Sequence, residues 1–141
     1  MSMNPSLRVL GPAMLLAAGC AAVTAMPEPP EGRALYDEYC AACHGPAAQG
    51  SGPLAAELAL DPPDLSRIAA RRDGDFPRAE VLSIIDGYTR GRVEGPQMPE
   101  FGELLMGDTV PVDTGDGRLS PVPRPLAALL VYLESLQEVP S

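Results

Sequence analysis

Residues 40–44 read Cys40-Ala41-Ala42-Cys43-His44: two thiols two residues apart, with an imidazole directly after the second. Thiols at this spacing on one helical turn can both bond to the same flat ligand. The imidazole is then carried beneath that ligand, where it can coordinate a metal. C-x-x-C-H is the pattern of covalent haem attachment, in which the thiols add across two vinyl groups and the histidine ligates iron. Two other chemistries use similar spacings. A thioredoxin-like redox pair needs a surrounding βαβ pattern, which is absent here. A zinc site needs four N or S ligands; beyond these three residues the chain offers no second histidine and only Cys20. Covalent attachment of one haem uses all three residues, so the expected cofactor is haem with its iron, bound at Cys40, Cys43 and His44.

With a single histidine, ligation by two histidines is excluded within one chain. The sixth position of the iron is then filled by a methionine or left open. The candidates beyond the N-terminal leader are Met26, Met98 and Met106. Met26 lies in a Pro-rich stretch and is poorly placed to reach back. Met106, in Leu104-Leu105-Met106-Gly107, reads as an apolar gap-filler.

The N-terminus looks like an address. Arg8 precedes an uncharged apolar run at 9–18 and then small residues, the layout of a secretory signal. The run falls short of the roughly 20 residues that a membrane span needs. Leu16-Ala17-Ala18-Gly19-Cys20 resembles a bacterial lipobox, which would anchor the protein to a membrane through a lipid on Cys20 and account for the odd cysteine. Cleavage after Val23-Thr24-Ala25 is the alternative. The expected division is a signal segment and start of the tether over 1–25, a Pro-rich tether over 26–31, and one domain over 32–141. Location in the periplasm follows, with or without the lipid.

Net charge is −9, from nineteen acidic residues against ten basic ones, every one of them arginine. An acidic domain without a basic face is not built to bind nucleic acid. The acidic surface either simply keeps the protein soluble or meets a positively charged redox partner. With no Trp, two Phe and four Tyr, the aromatic stock is thin for a small domain's core, and a large planar cofactor would supply apolar surface.

The elements that must position the motif read as helices. Leu35, Tyr36 and Tyr39 share a helix face leading into Cys40. Residues 45–53 are Gly- and Pro-rich and form a loop. Short helices are expected at 54–58 and 64–72, and a longer one from Pro77 to Asp86, closed by Gly87. Residues 89–125 read as irregular. A final helix over 126–137 carries Leu126, Leu129, Leu130, Leu133 and Leu136 on one side. No strand pattern is visible, so the expected class is all-α, a small orthogonal helical bundle rich in loops.

Taken together, these features resemble the class I, monohaem cytochromes c of bacteria and mitochondria over about residues 32–137. The resemblance rests on Gly32 and Tyr36 ahead of the motif, on Tyr132 in the last helix, and on the loop Gly95-Pro96-Gln97-Met98-Pro99-Glu100-Phe101-Gly102. It implies that Gly32 lets the first and last helices cross closely, with the aromatics locking the crossing. It also implies Met98 as the second axial ligand and the Pro53 carbonyl as hydrogen-bond acceptor for the far ring nitrogen of His44. Ile84, Ile85 and Tyr88 are candidates for the pocket wall, and Arg67, Arg71, Arg72 or Arg78 for a haem propionate. The implied role is a monomeric electron carrier, not an enzyme, working between a redox-protein donor and acceptor. A cytochrome subunit of a larger oxidoreductase and a haem-based ligand sensor are the alternatives. The sequence departs from the family pattern at 103–124, about twenty residues between the methionine loop and the last helix, read as a surface insertion.

Overall fold

The computed structural model describes residues 25–88 and 98–138. The proposed signal segment and lipobox, Cys20 included, lie outside the described residues, as do 89–97.

Helix α1 spans Pro29–Tyr39 and passes through Cys40 directly into the one-turn helix α2, Ala41–His44. Pro29 and Pro30 sit at its first positions, where the missing N–H costs nothing. Residues 29–31, expected in the tether, are therefore its first turn. Arg124 fixes this end, donating from Nε and Nη2 to the Glu31 carboxylate at 3.1 and 2.7 Å and from Nη1 to the Ala25 carbonyl at 2.8 Å. Helix α3 is Pro53–Glu57. The helix expected at 64–72 is two separate 3₁₀ turns, Leu65–Arg67 and Ala70–Arg72. The Asp64 carboxylate accepts from the backbone N–H and hydroxyl of Ser66 at 2.9 and 2.6 Å, capping the first. Helix α4, Arg78–Asp86, ends on Gly87 at φ +98, a left-handed conformation that favours glycine. Helix α5 is Arg124–Ser135.

The all-α expectation fails between Met98 and α5. Strands β1, Thr109–Asp113, and β2, Leu119–Pro123, form an antiparallel hairpin, pairing Thr109 with Pro123 and Asp113 with Leu119. The domain is mixed, helices with one two-stranded sheet. Prolines hid the strands, since a proline inside a run argues against a ladder. Here Pro111 stands opposite Pro121, so two of the missing N–H groups share one rung. Nor is the segment a passive insertion. Val110, Val112 and Val122 turn inward and are buried in the same core as Leu126, Leu129 and Leu130 of α5.

That core is organised by the crossing of α1 and α5. A Cβ on Gly32 would lie 1.9 Å from the Ala128 carbonyl oxygen and 2.6 Å from Tyr132 Cβ, so the contact admits only glycine. One turn on, the Tyr36 and Tyr132 rings pack with centroids 5.4 Å apart at 54°, a tilted arrangement that aromatic quadrupoles favour. Arg78 ties the other elements together. Its Nε and Nη2 donate to the two carboxylate oxygens of Glu134 on α5, and Nη1 donates to the Asp113 carbonyl at the end of β1. Among the described residues no helix is long and apolar enough to cross a membrane.

Candidate haem-binding site

The motif is presented on the continuation of α1. The Cys40 N–H donates to the Tyr36 carbonyl at 2.9 Å, and the His44 N–H donates to the Cys40 carbonyl at 2.9 Å. Helical register therefore carries from Tyr36 to His44 and fixes how the two thiols and the imidazole are spaced. Gly45, at φ +79, breaks it. The loop that follows folds back over the motif. Gly50 N–H donates to the His44 carbonyl at 2.8 Å and Gly52 N–H to the Cys43 carbonyl at 3.0 Å. A Cβ on Gly52 would fall 2.3 Å from the Ala42 carbonyl, so the sequence needs glycine there.

Cys40 and Cys43 are free, half-buried thiols. Burial, with a smaller contribution from Cys43, pushes the Cys40 thiol up to about 11. It is therefore a protonated thiol at neutral pH. His44 is buried, and burial lowers its pKa against the opposing pull of the Pro63 carbonyl. The ring is thus kept neutral, as a metal ligand must be. Its Nδ1 is a buried polar atom with no partner at hydrogen-bonding geometry. An imidazole held this way costs stability unless something else engages it. Two free thiols beside such a ring fit a covalently attached haem, with His44 on the iron. They do not fit a metal ion held by side chains alone: among the described residues no three His, Cys, Asp or Glu side chains gather to hold one.

Met98 is half-buried and, like Cys40, Ala41, Leu65, Ile68 and Phe101, packs against the core cluster. Tyr39 and Phe101 bring their rings to 6.4 Å, joining the helix before the motif to the segment after Met98. The Phe101 and Gly102 N–H groups donate to the Ile85 and Asp86 carbonyls at the end of α4, which seats that segment. Ile85 is buried, but Ile84 faces solvent and Tyr88 is 82 % exposed. Pro53 heads α3 and is exposed. Of the arginines considered for a propionate, Arg67, Arg72 and Arg78 pair with Glu138, Glu80 and Glu134.

A CxxCH turn beneath a first helix that crosses the last one at a glycine defines a c-type cytochrome domain. The family described as cytochrome c oxidase, cbb3-type, subunit III matches residues 27–110, and the chain belongs to that family. Comparisons with curated proteins and with solved structures found no match. Membership carries the cofactor, covalently bound haem c with its iron, and the chain's work is haem-based electron transfer. The match ends within β1, so most of the hairpin and all of α5 lie beyond it.

Proposed function

We propose that this protein is a one-electron carrier whose single haem, held by thioethers to Cys40 and Cys43, is ligated by His44 and Met98 and works in the periplasm. The observation that carries the reading is the burial of the methionines. Met98 is packed against the core, whereas Met106 is 70 % exposed and Met26 is 42 % exposed. A soft thioether on a proline-flanked loop reaches iron at little ordering cost and raises its potential. With both axial positions filled, the haem when bound supplies reversible one-electron chemistry and no open coordination site. The chain's residues supply covalent retention (Cys40, Cys43), a neutral ligand (His44) and exclusion of water around it. Met98→Ala is the test: the ferric methionine–iron charge-transfer absorption disappears, while Met106→Ala keeps it. Retention of the band in Met98→Ala would sink the assignment.

The family match favours a second reading, in which the chain is the cytochrome subunit of a larger oxidoreductase. Purification under gentle conditions separates them: a free carrier elutes alone, and a subunit elutes with its partners through washing.

A further inference from the structure

Met98 stands on a short arm whose far end is pinned. The Ile85 and Asp86 carbonyls belong to the last turn of α4, where a helix leaves its acceptors without partners. The Phe101 and Gly102 N–H groups donate to them at 3.0 and 3.2 Å. Glycines let the two segments lie this close. A Cβ on Gly87 would fall 2.2 Å from Glu100 Cγ and 2.8 Å from Glu100 Cβ, and one on Gly102 would fall 2.7 Å from the Asp86 carbonyl oxygen. Beyond the pin, the Leu105 N–H donates to the Phe101 carbonyl at 2.9 Å, and Leu105 is buried in the core. Phe101 is thus bonded through both its N–H and its carbonyl. Between it and Met98 stand only Pro99 and Glu100. A proline fixes its own φ and holds the residue before it to an extended conformation. Few torsions remain, so the place of Phe101 limits where the Met98 thioether can reach.

The ring of Phe101 is set in turn against Tyr39, the residue before Cys40, with centroids 6.4 Å apart at 51°. That tilted geometry lies within the favourable range for aromatic pairs. We infer that Tyr39 and Phe101 are positioning residues for the methionine ligand: with the arm pinned to the end of α4, their contact sets the span between Met98 and the turn that carries Cys40, Cys43 and His44. The inference rests on the proposed ligation by Met98. Neither ring has to touch the iron. Their contact orders the arm in advance, so less conformational entropy is lost when the thioether binds. A free ligand such as imidazole competes with Met98 for ferric iron. The free energy of the ring contact stands on the side of the methionine in that competition, and its loss favours the competitor by the same factor.

The test titrates the ferric full-length holoprotein with imidazole and follows the loss of the methionine–iron charge-transfer absorption. Phe101→Ala and Tyr39→Ala are each expected to raise the imidazole affinity about fivefold, the factor to which an aromatic contact of about 1 kcal/mol corresponds. The double variant gains no more than either single one, because the same contact is lost only once. Phe101→Tyr keeps the ring and with it the wild-type affinity. Val112→Ala, which weakens the core from the hairpin, also stays at the wild-type affinity, as a merely structural effect would not. If Phe101→Ala does not accumulate as holoprotein, Tyr39→Ala decides, since it leaves the sequence of the arm intact. Wild-type affinity in either single variant, additive gains in the double variant, or an equal rise in Val112→Ala overturns the inference. Ligation by a residue other than Met98 would show instead as a charge-transfer band that survives in Met98→Ala, so the two failures are distinguishable.

Discussion

The Tyr36 hydroxyl donates to the Gly45 carbonyl at 2.6 Å inside the core, joining the middle of α1 to the residue directly after the haem motif. Tyr36 is fully buried, and burial raises its phenol well above the ordinary tyrosine range, so it remains an O–H donor throughout the working pH range. The same ring packs on Tyr132. A single side chain thus couples the α1–α5 crossing to the point where the chain turns away from His44. Tyr36→Phe keeps the ring but strands a buried carbonyl, which costs about 1–3 kcal/mol. Guanidinium unfolding of the holoprotein should show that loss with an unchanged visible spectrum; a loss below about 0.5 kcal/mol would mean that the bond contributes nothing.

Gly32→Ala is expected to be far worse than its size suggests. The new methyl group meets backbone, the Ala128 carbonyl at 1.9 Å, and a carbonyl cannot rotate aside as a side chain can. The helices must separate, pulling apart the Tyr36–Tyr132 contact, at a cost of about 3 kcal/mol or more. Arg33→Ala, one residue on and exposed, should move the thermal midpoint little.

The hairpin should behave as core. Val112 is 1 % exposed, and Val112→Ala should destabilise by about 2 kcal/mol through lost burial and the cavity left behind. Leu119→Ala on the outward face, 69 % exposed, should stay within about 0.5 kcal/mol. Equal effects in thermal unfolding would return the segment to the status of an insertion.

Acid should loosen the start of α1 first. The hydrogen bond from Arg124 lowers Glu31 below its ordinary 4.5. A carboxylate depressed on folding contributes stability that is present above the unfolded pKa and lost as pH falls through the folded one. The Glu31–Arg124 contribution is therefore intact at neutral pH and is lost progressively as pH falls from about 4.5 through the lower folded value. Both side chains are partly exposed, so it amounts to no more than about 0.5 kcal/mol. Amide exchange across residues 28–33 should quicken in that window, and Glu31→Gln should show the quicker rate already at neutral pH.

What the sequence carried most clearly was chemistry held in local spacing. Cys40, Cys43 and His44 lie within one and a half turns, and the helical register that serves them is set by neighbours in the chain. Gly32, Tyr36 and Tyr132 were legible through the resemblance to class I cytochromes c, which implied a close helix crossing, and the packing at Gly32 bears that out. The helix from Pro77 closed by Gly87 was read from its capping residues, which act within a turn.

The hairpin was not legible. Its strands carry Pro111, Pro121 and Pro123, and local propensity alone reads prolines as irregular. Only the register, which sets one proline opposite another, and the burial of Val110, Val112 and Val122 against α5 make the ladder worthwhile. The placing of the turn at Pro62 and Pro63 beside the loop after the motif was likewise beyond local reading: it depends on Leu65 bonding to Ala48 and on Gln137 closing from more than seventy residues away. The sequence by itself determined that the chain carries a CxxCH motif suited to covalent haem, since residues spaced along one helical turn need no distant partner. Tertiary structure decided what surrounds that attachment, because a carbonyl or a strand finds its place only when remote segments pack against it.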